Sequence, residues 1–153
     1  MSLQSIGSVS FPGITHIYGD FVIGNTNEIN VTGLSFVDGS ILLHDNTGDS
    51  FQAPQLTRVE NLYIIGNTYA KVSIPNLQYV SHNLTVIGNH KLTILEFEQL
   101  GSIGDSGWSR SGANPIAIHQ FLTINDNEKL DEIRFPYLDY LWSNNSMSGN
   151  FNM

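Results

Sequence analysis

The side chains able to hold a metal or move a proton are five histidines and fourteen acidic residues, and there is no cysteine. His16, His44, His82, His90 and His119 include no tight pair at the spacing of metal ligands. The run Asp45-Asn46-Thr47-Gly48-Asp49-Ser50 gathers oxygen atoms around a glycine. It lacks the spacing and the final Glu of a calcium loop, so a polar turn is expected there. Gly104-Asp105-Ser106-Gly107 misses the spacing of a nucleophile elbow and has no strand–turn–helix context. Paired carboxylates would suit a glycosidase or lyase built on a β-helix. Asp20, Asp38, Asp45 and Asp126, however, stand beside glycines or asparagines, and turn formation accounts for them. No phosphate-binding glycine loop occurs. The expectation is a protein without a cofactor, a metal or a catalytic residue.

The elements that would position these residues are set by an internal repeat. Val22-Ile23-Gly24-Asn25-Thr26, Ile64-Ile65-Gly66-Asn67-Thr68 and Val86-Ile87-Gly88-Asn89-His90 nearly superimpose, and Leu43-His44-Asp45-Asn46 and Ile124-Asn125-Asp126-Asn127 are weaker copies. The recurring asparagines are Asn25, Asn46, Asn67, Asn89 and Asn127, at steps of 21, 21, 22 and 38. A period of 21 to 22 residues is a solenoid spacing, and the last step is one repeat plus an insertion. Later in each unit Pro54-Gln55-Leu56, Pro75-Asn76-Leu77 and Pro136-Tyr137-Leu138 correspond. The alternations Ile41-x-Leu43, Leu62-x-Ile64, Leu84-x-Val86 and Leu122-x-Ile124 read as half-buried strands. Second short strands are expected at Val72-Ser73-Ile74, Leu92-Thr93-Ile94 and Ile133-Arg134-Phe135. No segment carries three helical turns of apolar spacing. The expected fold is all-β: a short right-handed parallel β-helix, or leucine-rich-repeat-like solenoid, of about five to six coils, the hand following the general rule for parallel crossovers. One domain spans 1–153, with repeats over 14–142.

Residues 101–120 hold four glycines and a proline and are expected to leave the stack as a long loop carrying Trp108. Residues 143–153 form a cap or a tail. The repeated asparagines are expected to point inward, because an amide donates and accepts at once and can serve backbone groups of neighbouring coils. If Leu62 and Ile64 face the core, their neighbours face out. Stacking then predicts one outward column of Phe21, Leu42, Tyr63, Thr85 and Thr123, and another of Ile23, His44, Ile65, Ile87 and Asn125. A solvated sheet face is polar. An apolar one is a partner surface, unless the chain itself, through the 101–120 loop or a terminal segment, covers it.

The fullest repeat, Asn127-Glu128-Lys129-Leu130-Asp131-Glu132-Ile133-Arg134-Phe135-Pro136-Tyr137-Leu138, resembles the receptor L domain, a leucine-rich-repeat-like β-helix of growth-factor receptors, fungal cell-wall proteins and bacterial surface proteins. The resemblance covers about residues 14–142. The cysteines common near the ends of animal and fungal members are missing, which favours a microbial surface protein. The resemblance implies extracellular binding or wall organisation and transfers no active-site residue.

Charge narrows the partners further. Six basic against fourteen acidic residues give a net charge of −8. Nucleic acid and anionic membrane surfaces both need clustered Lys and Arg, so neither is expected as a partner. No apolar run is long enough to span a bilayer. No signal peptide is visible at Met1-Ser2-Leu3-Gln4. Three sequons begin at Asn30, Asn83 and Asn144. The function expected is a non-catalytic extracellular or cell-surface recognition module. It would bind a protein or glycan through Phe21, Ile23, Leu42, His44, Tyr63, Ile65, Thr85 and Ile87, with Trp108 at the rim. A homodimer through the same face is a further option. A carbohydrate-active β-helix and a purely structural wall repeat are the alternatives.

Overall fold

A computed structural model of the chain describes residues 1–4, 7–104, 122–141 and 145–150. The described residues form a β-solenoid of about six turns, all parallel strands and no helix. A seven-stranded sheet runs along one side: Ser2–Gln4, Phe21–Gly24, Ser40–His44, Asn61–Ile65, Leu84–Ile87, Leu122–Asn125 and Ser146–Ser148. A four-stranded sheet of Ser50–Gln52, Lys71–Ser73, Ile94–Glu96 and Glu132–Arg134 makes a second side, and Ser8–Ser10 pairs with Glu28–Asn30 in a separate two-stranded sheet. The third side is a six-stranded sheet: His16–Tyr18, Phe36–Asp38, Arg58–Val59, Tyr79–Val80, Ser102–Ile103 and Tyr140–Leu141.

Parallel strands one coil apart put equivalent residues in register, so the core is built of columns. Phe21, Ile41, Leu62, Leu84 and Leu122 pair in sequence along the seven-stranded sheet, as do Ile23, Leu43, Ile64, Val86 and Ile124. All ten are buried. Phe51, Val72 and Leu95 line the core from the four-stranded sheet, and Val37, Val59, Val80 and Ile103 from the six-stranded one. The corner between these two sheets is filled by buried Leu34, Leu56, Leu77 and Leu100. β-branched and leucine side chains at alternate positions suit a wall packed on one face only.

Three sequence expectations need correction. Phe21 and Ile23 do not face outward: both are fully buried, and Val22 and Gly24 hold the outward positions beside Leu42 and His44. Asn25 is exposed, and Thr26 takes the inward position. These share a cause. A residue in the left-handed backbone region precedes each inward polar residue: Asn25 (φ 53°), Asp45 (54°), Gly66 (65°), Gly88 (67°), Asp126 (56°) and Gly149 (66°). Matching Gly24-Asn25 to Gly66-Asn67 by letter is therefore one residue out of phase, because Asn25, not Gly24, fills the left-handed place. Asn tolerates that conformation better than most side chains. A one-residue slip exchanges the two faces of a strand. Third, Ser102–Ile103 is a strand of the six-stranded sheet, so the stack continues through the first residues of the expected 101–120 loop. Trp108 and His119 lie outside the described residues.

Strand positions shift in smaller ways too. The second strands are Lys71–Ser73, Ile94–Glu96 and Glu132–Arg134, each displaced by one or two residues from expectation. The six-stranded sheet is a third set of strands, beyond the two expected in each unit. In the expected tail, Ser146–Ser148 adds a seventh strand against Thr123–Asn125.

Candidate functional site

Six polar side chains meet inside the corner that follows the seven-stranded sheet: Thr26, Asn46, Asn67, Asn89, Asn127 and Asn150. The backbone N–H of Thr26 donates to Asn46 Oδ1 at 3.0 Å, and the step repeats from Asn46 to Asn67 (3.0 Å), Asn67 to Asn89 (2.9 Å), Asn89 to Asn127 (3.0 Å) and Asn127 to Asn150 (3.1 Å). The Nδ2 groups donate as well. They reach the next Oδ1, at 2.9 to 3.1 Å from Asn46 through Asn127. They also reach a carbonyl of the preceding coil: Asn46 to Ile23, Asn67 to Leu43, Asn89 to Ile64, Asn127 to Val86 and Asn150 to Ile124. Every amide is thus spent on backbone and neighbour, which is what a buried polar group requires. The ladder is structural, with no atom left for a ligand.

A second polar run lies outside, just before the seven-stranded sheet. Asp20 Oδ1 accepts the Ser40 N–H at 2.8 Å, Asn61 Nδ2 donates to Ser40 Oγ at 3.2 Å, and Asn83 Nδ2 donates to Asn61 Oδ1 at 2.7 Å. Sequence reading missed this run, although the step from Asn61 to Asn83 has the same 22-residue period. It occupies the amide of the Asn83 sequon. At the Asn30 sequon the side chain is exposed and accepts the Thr32 N–H at 3.3 Å. Asn144 lies outside the described residues.

The outward columns of the seven-stranded sheet are Val22, Leu42, Tyr63, Thr85 and Thr123, and Gly24, His44, Ile65, Ile87 and Asn125. Leu42, Tyr63, Thr85 and Ile87 are half-buried and Ile65 is 36% exposed. Thr123 is only 6% exposed despite its outward register. Gly24 matters here: a Cβ at this position would stand 2.3 Å from the His44 ring, so the imidazole occupies the space a side chain would fill. His44 Nδ1 lies 3.0 Å from Asp45 Oδ2. The structure therefore brings Leu42, His44, Tyr63, Ile65, Thr85 and Ile87 onto one face and removes Phe21 and Ile23 from it.

The outer face of the six-stranded sheet differs in chemistry. His16, Phe36, Arg58 and Tyr79 pair in one outward column. The His16 and Phe36 rings are 5.8 Å apart at 50°, and the Arg58 guanidinium stands 5.8 Å from the Phe36 centroid. Tyr79 is 52% exposed and Tyr18, beside this column, 84%.

The outer face of the four-stranded sheet carries a charged cluster. Glu96, nearly buried, is 2.8 Å from both Lys71 Nζ and Arg134 Nη1, and accepts the Ser73 hydroxyl at 2.7 Å. Arg134 Nε donates to Glu132 at 2.6 Å. The hydrogen bond from Lys71, then that from Ser73, hold the Glu96 carboxyl down at about 2. These bonds close the cluster on itself. Beside it, Glu98, Ile133, Arg134, Phe135 and Pro136 line a shallow open depression.

Elsewhere His90 Nδ1 stands 3.9 Å from Glu128 Oε1, both side chains exposed. Among the described residues no three of His, Asp and Glu come together as metal ligands. Asp45 and Asp126 serve as left-handed corner residues and Asp20 binds a backbone N–H. The Asp45-to-Ser50 run is a coil corner: Asn46 is in the ladder, and a Cβ at Gly48 would stand 2.0 Å from the Asn27 carbonyl oxygen. Among the described residues no helix is long and apolar enough to cross a membrane. No protein-family model, no curated protein and no solved structure matches the chain.

Proposed function

We propose that the chain is a non-catalytic recognition or adhesion module, working outside the cell or at its surface, that takes a protein partner on the outer face of the seven-stranded sheet. The observation that carries this reading is the apolar patch of Leu42, Tyr63, Ile65 and Ile87 in two adjacent outward columns. A sheet face that meets only water is polar, and contiguous apolar area marks an interaction surface. Three of the four side chains are aliphatic, which suits another protein, including a second copy of this chain, better than a sugar. The solenoid and its 21-to-22-residue period also support kinship with the receptor L domain of microbial surface proteins, whose role would be the same.

A photo-reactive phenylalanine analogue at position 63, in chain displayed on its native host, should give discrete cross-linked protein bands. Ile65→Ser with Ile87→Ser should reduce them at least tenfold, and sedimentation of the purified chain tells a second copy from a foreign partner. Bands that survive the double variant, or no cross-linked protein, overturn the reading.

A further inference from the structure

The six-stranded sheet carries a second surface of a different kind. Its outward column steps through His16, Phe36, Arg58 and Tyr79, one residue per coil. Strands in a sheet are about 4.8 Å apart, so the four positions make a straight track of roughly 14 Å parallel to the solenoid axis. The Arg58 guanidinium and the tilted His16 ring each stand 5.8 Å from the Phe36 ring, so the track is assembled before any ligand arrives. Asp38, exposed, pairs with Tyr18 in the neighbouring column, and Glu60, half-buried, directly follows the strand Arg58–Val59. Neither column holds an aliphatic side chain between His16 and Tyr79.

We propose that this track binds a neutral, extended β-linked polysaccharide, with sugar rings lying on Tyr79 and on the Phe36–Arg58 pair, and with Asp38 and Glu60 accepting hydrogen bonds from the hydroxyls. Three features select this occupant. Ring faces and planar cations offer stacking surfaces to C–H-rich sugar faces. The coil spacing is close to the rise of successive rings in an extended β-1,4-linked chain. Carboxylates beside the track, on a chain of net charge −8, complement hydroxyl donors and repel sulfated or uronic-acid polymers. A protein interface would instead require an apolar centre, and that lies on the other sheet.

Titration calorimetry of the whole chain with cello-oligosaccharides and chito-oligosaccharides of two to six rings tests this. Affinity should rise with length and level off at three to four rings, and the two series show which ring substituents are preferred. Tyr79→Ala should weaken the hexasaccharide at least tenfold while Tyr79→Phe stays within twofold. Asp38→Ala should weaken it severalfold. Ile65→Ser with Ile87→Ser, on the other sheet, should leave it unchanged, so failure here is separable from failure of the protein-binding face. No heat with either series at millimolar concentration, binding indifferent to Tyr79→Ala in a folded variant, or preference for heparin overturns the proposal.

Discussion

The solenoid solves the problem of polar groups against its wall in two ways, one inside and one outside. Inside, Thr26 and five asparagines stack in a corner where each amide both donates and accepts, and none carries charge. Outside the four-stranded sheet, Glu96 is surrounded by Lys71, Ser73 and Arg134, and the partners keep their own contact with water, with side chains 39% and 44% exposed for Lys71 and Arg134. Loss of one member of the amide ladder leaves the groups it served unpaired, because the corner is buried away from water. The ionic cluster can be rehydrated. The first is therefore a requirement of the fold, and the second an adjustment of its stability that acid can reverse.

The largest effect should come from the middle of the ladder. Asn67→Ala removes the acceptor of the Asn46 N–H and the donor to the Leu43 carbonyl and to Asn89 Oδ1. Leaving buried polar groups unpaired costs about 1–3 kcal/mol, and with several affected the upper end is expected. Asn67→Asp keeps the shape but sets an unpaired carboxylate against the Leu43 and Ile65 carbonyls, and should cost on the order of 3–5 kcal/mol. Urea denaturation measures both. Equal midpoints for Asn67→Ala and the parent would refute the ladder as a source of stability.

A smaller effect, and one with a pH signature, is expected outside. Glu96 titrates at about 2 when folded, against an ordinary 4.5. A carboxyl whose pKa is depressed on folding contributes stability that is fully present above the ordinary value and is lost as pH falls through the folded one. Unfolding free energy should therefore decline between about pH 5 and pH 2, and Glu96→Gln should flatten that slope. Because both cations remain partly in water, the loss at neutral pH is expected to be on the order of 1 kcal/mol. A Glu96→Gln variant with the parent's acid slope would place the titration elsewhere, whereas the ladder variants should retain that slope.

The same contrast explains what was legible in the sequence. The solenoid could be read because its period is written in five recurring asparagines, and four of those five, Asn46, Asn67, Asn89 and Asn127, do line the corner. The fifth, Asn25, misled because Asn serves both as ladder member and as left-handed corner residue. Only the alternation Phe21-x-Ile23, equivalent to Leu62-x-Ile64, would have fixed the phase. Asn150 was hidden in an asparagine-rich tail. The aromatic track was missed for another reason. Arg58-Val59 and Tyr79-Val80 strands are two residues long, too short for alternation to register, although the inward Val-Val-Ile column was present at Val59, Val80 and Ile103. Ion pairs such as Glu96 with Arg134, 38 residues apart, depend on coil pairing and cannot be inferred before register is known.

The smallest effect should arise where the inside arrangement is incomplete. Tyr69, two residues past Asn67, is buried beside the ladder. It is 1% exposed, its ring lies 6.3 Å from Phe51 at 36°, and its hydroxyl makes no hydrogen bond of good geometry, though Asn46 lies on that side. Burial pushes the phenol well above its ordinary range, so it is neutral at physiological pH. A buried hydroxyl without a partner is a cost that the ring's packing must offset. Tyr69→Phe keeps the ring and removes that cost, so stability should change by no more than about 0.5 kcal/mol or rise slightly. A loss above about 1 kcal/mol would mean that the hydroxyl is a working member of the asparagine network, and that the division between a fully closed interior and a rehydratable exterior is drawn in the wrong place.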